Sequence, residues 1–478
     1  MKLARIVVLC VVAISCATNP ATGRRQLILM SEAEEIALGR QSDAEIRQQM
    51  GVYPDANLQR YVDRIGQRLA QQSFRQNLKW NFTVVDESAV NAFALPGGYI
   101  YVTRGILPFM RDEAEFAGVL GHEIGHVDGK HTVDQYSKQQ LVGGALMGAS
   151  IFFPKWQNAL GAGSLAAQFA FLKFGRDAEL ESDRLGVSYA SGGGWSPASM
   201  QGVLGTLGRL DEAQGSRRGV PNWALTHPPA ADRIERLQEA IVAARAKGGS
   251  QTNENEFERM IDGIVVGDSR EKGMVRGNDF IHPVMRFSLS FPEGWEIANG
   301  AEQVSAVPPG EQVSVAMLLQ LSTNRNASPQ QAARADMSGA GLQQTSGGST
   351  RINGLEAYVG TYEGLMENQR VVFRAAHIRS GDQMYVVAGL ATPNNFNQAD
   401  RYFAQTIQSF RQLSAGEAER IQPDRLNFYT VRSGDSWESI ARQRGANPLR
   451  PATLAIMNGS DPSTPPRPGT RIRVIAGG

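Results

Sequence analysis

The chain has 478 residues, 42% of them hydrophobic, and a formal net charge of +1 at pH 7. This length allows about three domains, and the hydrophobic fraction is that of an ordinary globular protein. A net charge so close to zero gives no case for a nucleic-acid-binding protein. Both cysteines, Cys10 and Cys16, lie near the N-terminus, so the rest of the chain has no internal disulfide and relies on other stabilising interactions.

The first twenty residues are typical of a bacterial lipoprotein leader. Lys2 and Arg5 precede the apolar run 6–14, and residues 13–16, Ala-Ile-Ser-Cys, resemble a lipobox with alanine where leucine is commonest. We expect residues 1–15 to be a signal peptide, Cys16 to be lipidated, and residues 16–30 to form a tether. Alternatives are a plain signal peptide or a short membrane anchor, although nine apolar residues are too few to span a bilayer.

The residues after the candidate lipidation site bear on location. They are Ala17 and Thr18, without the aspartate that would retain a lipoprotein at the inner membrane. An outer-membrane anchor facing the periplasm is therefore expected.

A short strand is predicted after the turn-forming triplet Pro-Gly-Gly at residues 96–98. The following residues, Tyr99, Ile100 and Tyr101, are β-prone. Together with Gly98 they could form an edge strand that holds an extended peptide by main-chain hydrogen bonds. An ordinary buried strand is an equally good interpretation.

Residues 122–126 have the sequence His-Glu-Ile-Gly-His and follow a predicted helix that begins with a capping box between Asp112 and Glu115. Two histidines four residues apart lie on one helix face, so His122 and His126 can bind one ion at about 2.1 Å. Glu123, between them, can take a proton from water that attacks a carbonyl. With 6 histidines in the chain, fewer than roughly 0.01 accidental matches are expected. The motif predicts a zinc peptidase with one zinc ion per chain.

Two candidates compete for the third zinc ligand. His131 nearly completes an HExxHxxGxxH pattern, but it lies one residue early and Thr132 occupies the required position. This slip argues against His131. Farther along, the apolar stretch 141–153 contains three glycines and is more typical of a buried hairpin or a flap than of a membrane span.

The second candidate is the acidic helical segment 176–186. Helical spacing places Glu179, Asp183 and Gly186 on one stripe, where small residues permit close packing against the HExxH helix. We therefore expect Glu179 to bind zinc, and Asp183 to accept a hydrogen bond from a ligating histidine. Glu181 is expected to point elsewhere, into solvent.

Three segments together resemble the gluzincin metallopeptidase family that includes the CAAX prenyl protease, HtpX and BepA (peptidase family M, number forty-eight). They are residues 91–103, residues 122–126, and residues 176–183, where Ser182 replaces the usual alanine of an RxxExxAD segment. A fourth segment, 226–234, is similar to the HPxxxxR element of the family.

The resemblance covers roughly residues 32–248 and implies a mainly α, zincin-type domain with a small β-sheet, assigned to residues 31–250. It implies that His227 and Arg233 stabilise the oxyanion or gate the zinc. Without the family, His227 is a polar residue in a proline turn before a helix over 231–246.

After a linker-like polar run at residues 248–255, residues 261–415 are predicted to form an α+β module. Strand-like runs at 287–291 and 385–388 and a helical segment at 397–410 support this interpretation. Residues 291–295 resemble the entry of small PsbP-like or Mog-like sandwiches. We read His282 and His377 as structural residues, and the module as one for recognition or positioning.

The C-terminal residues 426–476 resemble a LysM repeat through segments 429–441, 454–458 and 468–474. The resemblance implies a small βααβ domain that contacts peptidoglycan through its N-acetylglucosamine. Trp437 stands where the family usually has leucine, and the approach to the last strand is rich in proline. A structural cap that binds no glycan is the alternative.

These features predict a zinc-dependent endopeptidase of the bacterial envelope that hydrolyses misfolded or stalled periplasmic and outer-membrane proteins in protein quality control. The membrane would be contacted only through the lipid anchor. One alternative is an envelope assembly chaperone or scaffold whose protease site is kept latent by His227. Another is a peptidoglycan-binding structural protein.

Overall fold

The structure is a computed structural model, and its described part excludes the predicted signal peptide and residues 142–153 of the apolar stretch. It describes residues 16–23, 25–141, 169–170, 172–214, 223–227, 231–300, 303–310, 315–366, 369–442 and 450–477. Within these ranges, no helix is both long and apolar enough to cross a bilayer.

The N-terminal half is mainly helical. Its elements are β1 (Cys16–Thr18), β2 (Arg25–Leu27), α1 (Glu32–Gln49), α2 (Ala56–Ala70), β3 (Asn81–Val85), β4 (Ala92–Leu95), β5 (Tyr99–Thr103), α3 (Glu113–Asp128), α4 (His131–Leu141), α5 (Arg176–Gly192), α6 (Ser199–Gln214), α7 (Trp223–Thr226), α8 (Ala231–Ala244) and α9 (Glu254–Ile261). Helix α8 continues into a 3₁₀ turn, Arg245–Lys247. Helix α9 starts inside the predicted linker and buries Phe257 and Ile261 in the core of this half.

The small sheet has the order β3-β5-β4, with β5 parallel to β3 and antiparallel to β4. Strand β5 is therefore the middle strand, and its main-chain groups are hydrogen-bonded on both sides. The prediction that Gly98, Tyr99, Ile100 and Tyr101 form a free edge is wrong. The alternative interpretation, an ordinary buried strand, agrees with the structure, in which four of the five residues of β5 are buried.

Helices α3 and α5 pack closely because small residues face each other where they cross. A Cβ atom added to Gly121 would lie 3.0 Å from the carbonyl oxygen of Gly186, and one added to Gly186 would lie 2.8 Å from the amide nitrogen of His122. Helix α3 begins at the cap Asp112, whose carboxylate accepts from the Glu115 amide at 2.8 Å. The predicted capping box is only half formed, because the Glu115 carboxylate binds the amide and guanidinium of Arg111 instead.

The described residues of the middle module form two antiparallel sheets and three helices. Its strands are β6 (Met274–Arg276), β7 (Asp279–His282), β8 (Phe287–Ser290), β9 (Glu296–Asn299), β10 (Gln303–Val307), β11 (Val315–Leu321), β12 (Gln343–Ile352), β13 (Leu355–Met366), β14 (Gln369–Ser380), β15 (Gln383–Ala391) and β16 (Arg411–Gln412). Its helices are α10 (Pro329–Gly339), α11 (Pro393–Ser409) and α12 (Ala415–Arg420). The sheet orders are β12-β13-β14-β15-β11-β10-β9 and β16-β8-β7-β6.

The last elements are β17 (Arg425–Thr430), α13 (Trp437–Arg442), α14 (Pro451–Met457) and β18 (Arg471–Ala476), the predicted βααβ order. Trp437 is buried and its indole donates to the Thr464 carbonyl at 2.7 Å, so the unusual tryptophan belongs to the core of this unit. The unit packs on the helical half: Arg473 donates to the Arg111 carbonyl at 2.8 Å. The predicted fold class, in which a helical domain, an α+β module and a βααβ unit follow one another, is confirmed.

Candidate metal centre and active site

Four buried side chains converge between helices α3, α5 and the end of α7. His122 and His126 come from α3, Glu179 from α5, and His227 directly follows α7. One ligand atom from each lies within 4.8 Å of all the others. The described residues contain no second group of this kind, and His282 and His377 lie outside it.

The two histidines of α3 direct the same ring nitrogen to one point. His122 Nε2 and His126 Nε2 are 3.0 Å apart. Glu179 lies beside both, with Oε1 3.5 Å from His126 Nε2 and Oε2 3.7 Å from His122 Nε2. The helical spacing of HExxH produces this convergence, because residues four apart share a face.

Asp183 lies behind His122, one turn after Glu179 on α5. Its Oδ1 is 3.0 Å from His122 Nδ1. This carboxylate favours a hydrogen on Nδ1, which leaves the lone pair of His122 on Nε2. Arg233 fixes Asp183 in turn, because its Nε and Nη2 donate to the two carboxylate oxygens at 2.8 Å each. Arg233 Nη1 also lies 2.9 Å from Glu179 Oε2.

The charges of the cluster suit a divalent cation. Burial would raise the pKa of Glu179, but the neighbouring histidines, His227 above all, hold it well below its usual range. Burial lowers the pKa of His126, so its imidazole is neutral. A neutral imidazole and an ionised carboxylate are the forms that bind zinc. When both rings carry their hydrogen on Nδ1, two lone pairs face each other at 3.0 Å, and a cation bound to both removes their repulsion. The cluster therefore fits one zinc ion.

Glu123 lies beside the cluster. Both of its carboxylate oxygens are buried and have no hydrogen-bond partner among the described residues. Burial raises its pKa despite the opposing effect of His227 and His122. A carboxylate with a raised pKa and free lone pairs is suited to accepting a proton from water.

His227 lies close to the same point. Its Nδ1 is 3.0 Å from Glu179 Oε1 and 3.2 Å from His122 Nε2, and its Nε2 is 3.6 Å from Glu123 Oε1. Burial alone would lower its pKa, but the charges of Glu179 and Glu123 raise it. Residues 228–230, which complete the predicted proline turn, lie outside the described residues.

Two aromatic contacts were not predicted from the sequence. Phe174 stacks on His126 with ring centroids 4.0 Å apart, and Trp223 stacks on His227 at the same separation. Their positions in the sequence are the one signal for these contacts. Phe174 lies five residues before Glu179, and Trp223 lies four residues before His227. The structure brings together every predicted site residue except Tyr99, Ile100 and Tyr101, which belong to β5, and Gly98, which directly precedes it.

Two segments of the chain match known families. Residues 56–241 match the family model of Peptidase family M48, and residues 429–474 match that of the LysM domain. For the first segment, this match and the buried cluster confirm the predicted enzyme class, a zinc metalloendopeptidase domain with HExxH and a distal ligand. The buried cluster fits the predicted cofactor, one zinc ion.

Individual relatives cover only part of the chain. It is 30% identical to the mitochondrial metalloendopeptidase OMA1 of Schizosaccharomyces pombe over 39% of this chain and 54% of that protein. It is 29% identical to the Beta-barrel assembly-enhancing protease of Escherichia coli (strain K12), over 45% of each chain. The chain thus spans about half the length of these curated relatives.

A solved structure of cyanobacterial PsbP from Synechocystis sp. PCC 6803 aligns over 29% of this chain and 94% of that protein, with 10% identity and a TM-score of 0.24. A TM-score this low carries no argument, so a PsbP-like or Mog-like middle module stays a prediction.

Proposed function

We propose that this chain, whose residues 56–241 match Peptidase family M48, is a zinc-dependent endopeptidase that acts on misfolded or stalled proteins of the bacterial envelope. One observation carries the proposal: His122 Nε2, His126 Nε2 and the Glu179 carboxylate converge in a buried cluster with Glu123 beside it. His122, His126 and Glu179 would hold the metal. When bound, zinc supplies a Lewis acid that acidifies water and polarises a carbonyl.

The protein groups then divide the remaining work. Glu123 takes the proton from the attacking water and returns it to the leaving amine nitrogen. Asp183 keeps the hydrogen of His122 on Nδ1, 3.0 Å away, so that Nε2 remains a ligand. Arg233 holds Asp183 and balances the charge of Glu179. In this account Arg233 positions the ligands.

Metal removal tests the proposal. Unfolded casein should be cleaved by the chain from Ala17 onward, cleavage should stop when a chelator removes the metal, and it should return when zinc is added back. Mass spectrometry of the products should show internal peptide bonds broken. Cleavage that continues in a chain shown to be free of metal would rule out the proposed chemistry.

The position of His227 favours a second candidate, a scaffold or chaperone with a latent protease site. Its Nδ1 lies inside the ligand group, 3.2 Å from His122 Nε2, where it can close the open position that a catalytic zinc needs. Under this alternative, His227→Ala should raise casein cleavage by at least about 10-fold over wild type at equal zinc content, a release of about 1.4 kcal/mol.

The opposite result assigns a different role. A His227→Ala variant that retains zinc but cleaves more slowly than wild type would place His227 in oxyanion stabilisation, and latency through this residue would be excluded. Trp223→Leu is the matched control. It removes the ring stacked on His227 at 4.0 Å but keeps the imidazole, so it should shift activity in the same direction by a smaller factor.

The envelope location rests on two further features. The leader ending at Cys16 supports a lipid anchor in the outer membrane, and the LysM match of residues 429–474 supports contact with peptidoglycan. The printed name of the Escherichia coli relative, an assembly-enhancing protease for β-barrels, supports envelope proteins as substrates. A purely structural wall-binding role is less well supported, because it leaves the buried metal cluster without a purpose.

Cell fractionation tests this location. The full chain should sediment with the outer membrane, and Cys16→Ala should move it to the soluble fraction. The purified chain from Ala17 should sediment with isolated peptidoglycan. An unchanged membrane fraction for Cys16→Ala would contradict the lipid anchor, and a chain that stays in the supernatant with peptidoglycan would contradict the glycan contact.

A further inference from the structure

His131, which the sequence argues against as a zinc ligand, lies directly behind His126. Its Nδ1 is 3.0 Å from His126 Nδ1, the ring nitrogen opposite the one that faces His122. The two rings are nearly perpendicular, at 78°. His131 is only 6% exposed, so this contact is shielded from water.

Only one of two facing ring nitrogens can carry the hydrogen between them. A neutral His126 that presents a lone pair on Nε2 must carry its hydrogen on Nδ1. His131 Nδ1 is then the acceptor, and the hydrogen of His131 lies on its Nε2. That nitrogen is 3.7 Å from Glu181 Oε1, so a negative charge faces it.

Glu181 was expected to be solvated, and this expectation is wrong. The Asn19 amide donates to Glu181 Oε1 at 2.8 Å. Asn19 is 2% exposed, and its own carbonyl oxygen accepts from the amides of Ala21 and Thr22. The orientation of the Asn19 amide is therefore fixed, with its donor group directed to Glu181.

We propose that His131 is a positioning residue for His126, oriented in turn by Glu181 and Asn19. The series Asn19, Glu181, His131 and His126 keeps the hydrogen of His126 on Nδ1 and its Nε2 free for the metal. On the other ligating histidine, His122, the pair Arg233 and Asp183 has the corresponding role. This inference rests on the proposed zinc site.

A second observation supports the placement. Gly129 directly follows α3, and a Cβ atom added to it would lie 2.4 Å from His131 Nε2. A side chain at residue 129 would therefore push the His131 ring away from His126. The same glycine offers its carbonyl oxygen to Gln26 at 2.7 Å. The segment around β1 and β2 therefore contacts the back of the metal site.

Zinc affinity, measured by competition with a chromophoric chelator, tests the proposal. His131→Leu removes the acceptor and should weaken zinc binding by about 10- to 100-fold. His131→Asn places an oxygen near the position of Nδ1 and should restore most of the affinity. A His131→Leu variant that binds zinc as tightly as wild type would overturn the proposal, and so would a His131→Asn variant as weak as His131→Leu.

Glu181→Gln keeps the test decisive if His131→Leu does not fold. This change leaves the shape of the side chain and removes the charge that faces His131, so zinc affinity should fall by about 3- to 10-fold, less than for a direct partner. Unchanged affinity would overturn the proposed series. If the wild-type chain itself binds no zinc, the proposed function fails as well, which separates the two failures.

Discussion

Replacing Glu179 with glutamine is expected to abolish zinc retention, with zinc affinity falling by more than about 100-fold. Losing a residue that only orients a ligand lowers metal affinity by at most about 100-fold, and losing a ligand itself should cost more. Glu179 is the one carboxylate in the ligand group. The guanidinium of Arg233 lies 2.9 Å from Glu179 Oε2 and also contacts Asp183. Removing the charge of Glu179 therefore takes away one of these two negative charges from Arg233 beside the metal.

The matched control is Asp177→Asn, which removes an exposed carboxylate from the first turn of the same helix. It should leave zinc affinity within about 2-fold of wild type, because a solvated charge is screened. Added zinc should raise the melting temperature of wild type and of this control but not of Glu179→Gln. Equal zinc affinity in the two variants would remove Glu179 from the metal site.

The local parts of this site could be predicted from the sequence. His122, Glu123 and His126 follow from a four-residue spacing on one helix, and Glu179 and Asp183 follow from the same periodicity on a second helix. Gly186 indicated that the two helices could pack closely, which the structure shows. The structure brings these residues together, because helical periodicity determines which residues share a face.

The errors arose where distant parts of the chain meet. The edge prediction for residues 98–101 fails because β5 pairs with the parallel strand β3, residues 81–85, and pairing between strands that are separated along the chain leaves no local signal. The prediction that Glu181 is solvated fails because its partner Asn19 lies 162 residues away in the chain, where helical periodicity gives no information. Arg473 contacts Arg111, 362 residues away in the chain, and no local pattern in the sequence predicts this contact.

Replacing Glu123 with glutamine is expected to lower the rate constant for peptide cleavage by about 10²- to 10⁴-fold, the contribution of a positioned general base. Glutamine has nearly the same shape but cannot accept a proton. Zinc content should not change, because Glu123 is outside the group of converging ligand atoms. The fold should also be kept, since no hydrogen bond to this carboxylate is found among the described residues.

Hydrolysis of peptide bonds by Glu123 and a zinc ion held by His122, His126 and Glu179 is tested by the cleavage of unfolded casein. Wild type and Glu123→Gln are compared, each from Ala17 onward and each verified to contain one zinc per chain. We expect cleavage by wild type and almost none by the variant. Equal cleavage by both, with the zinc in place, would exclude Glu123 as the general base.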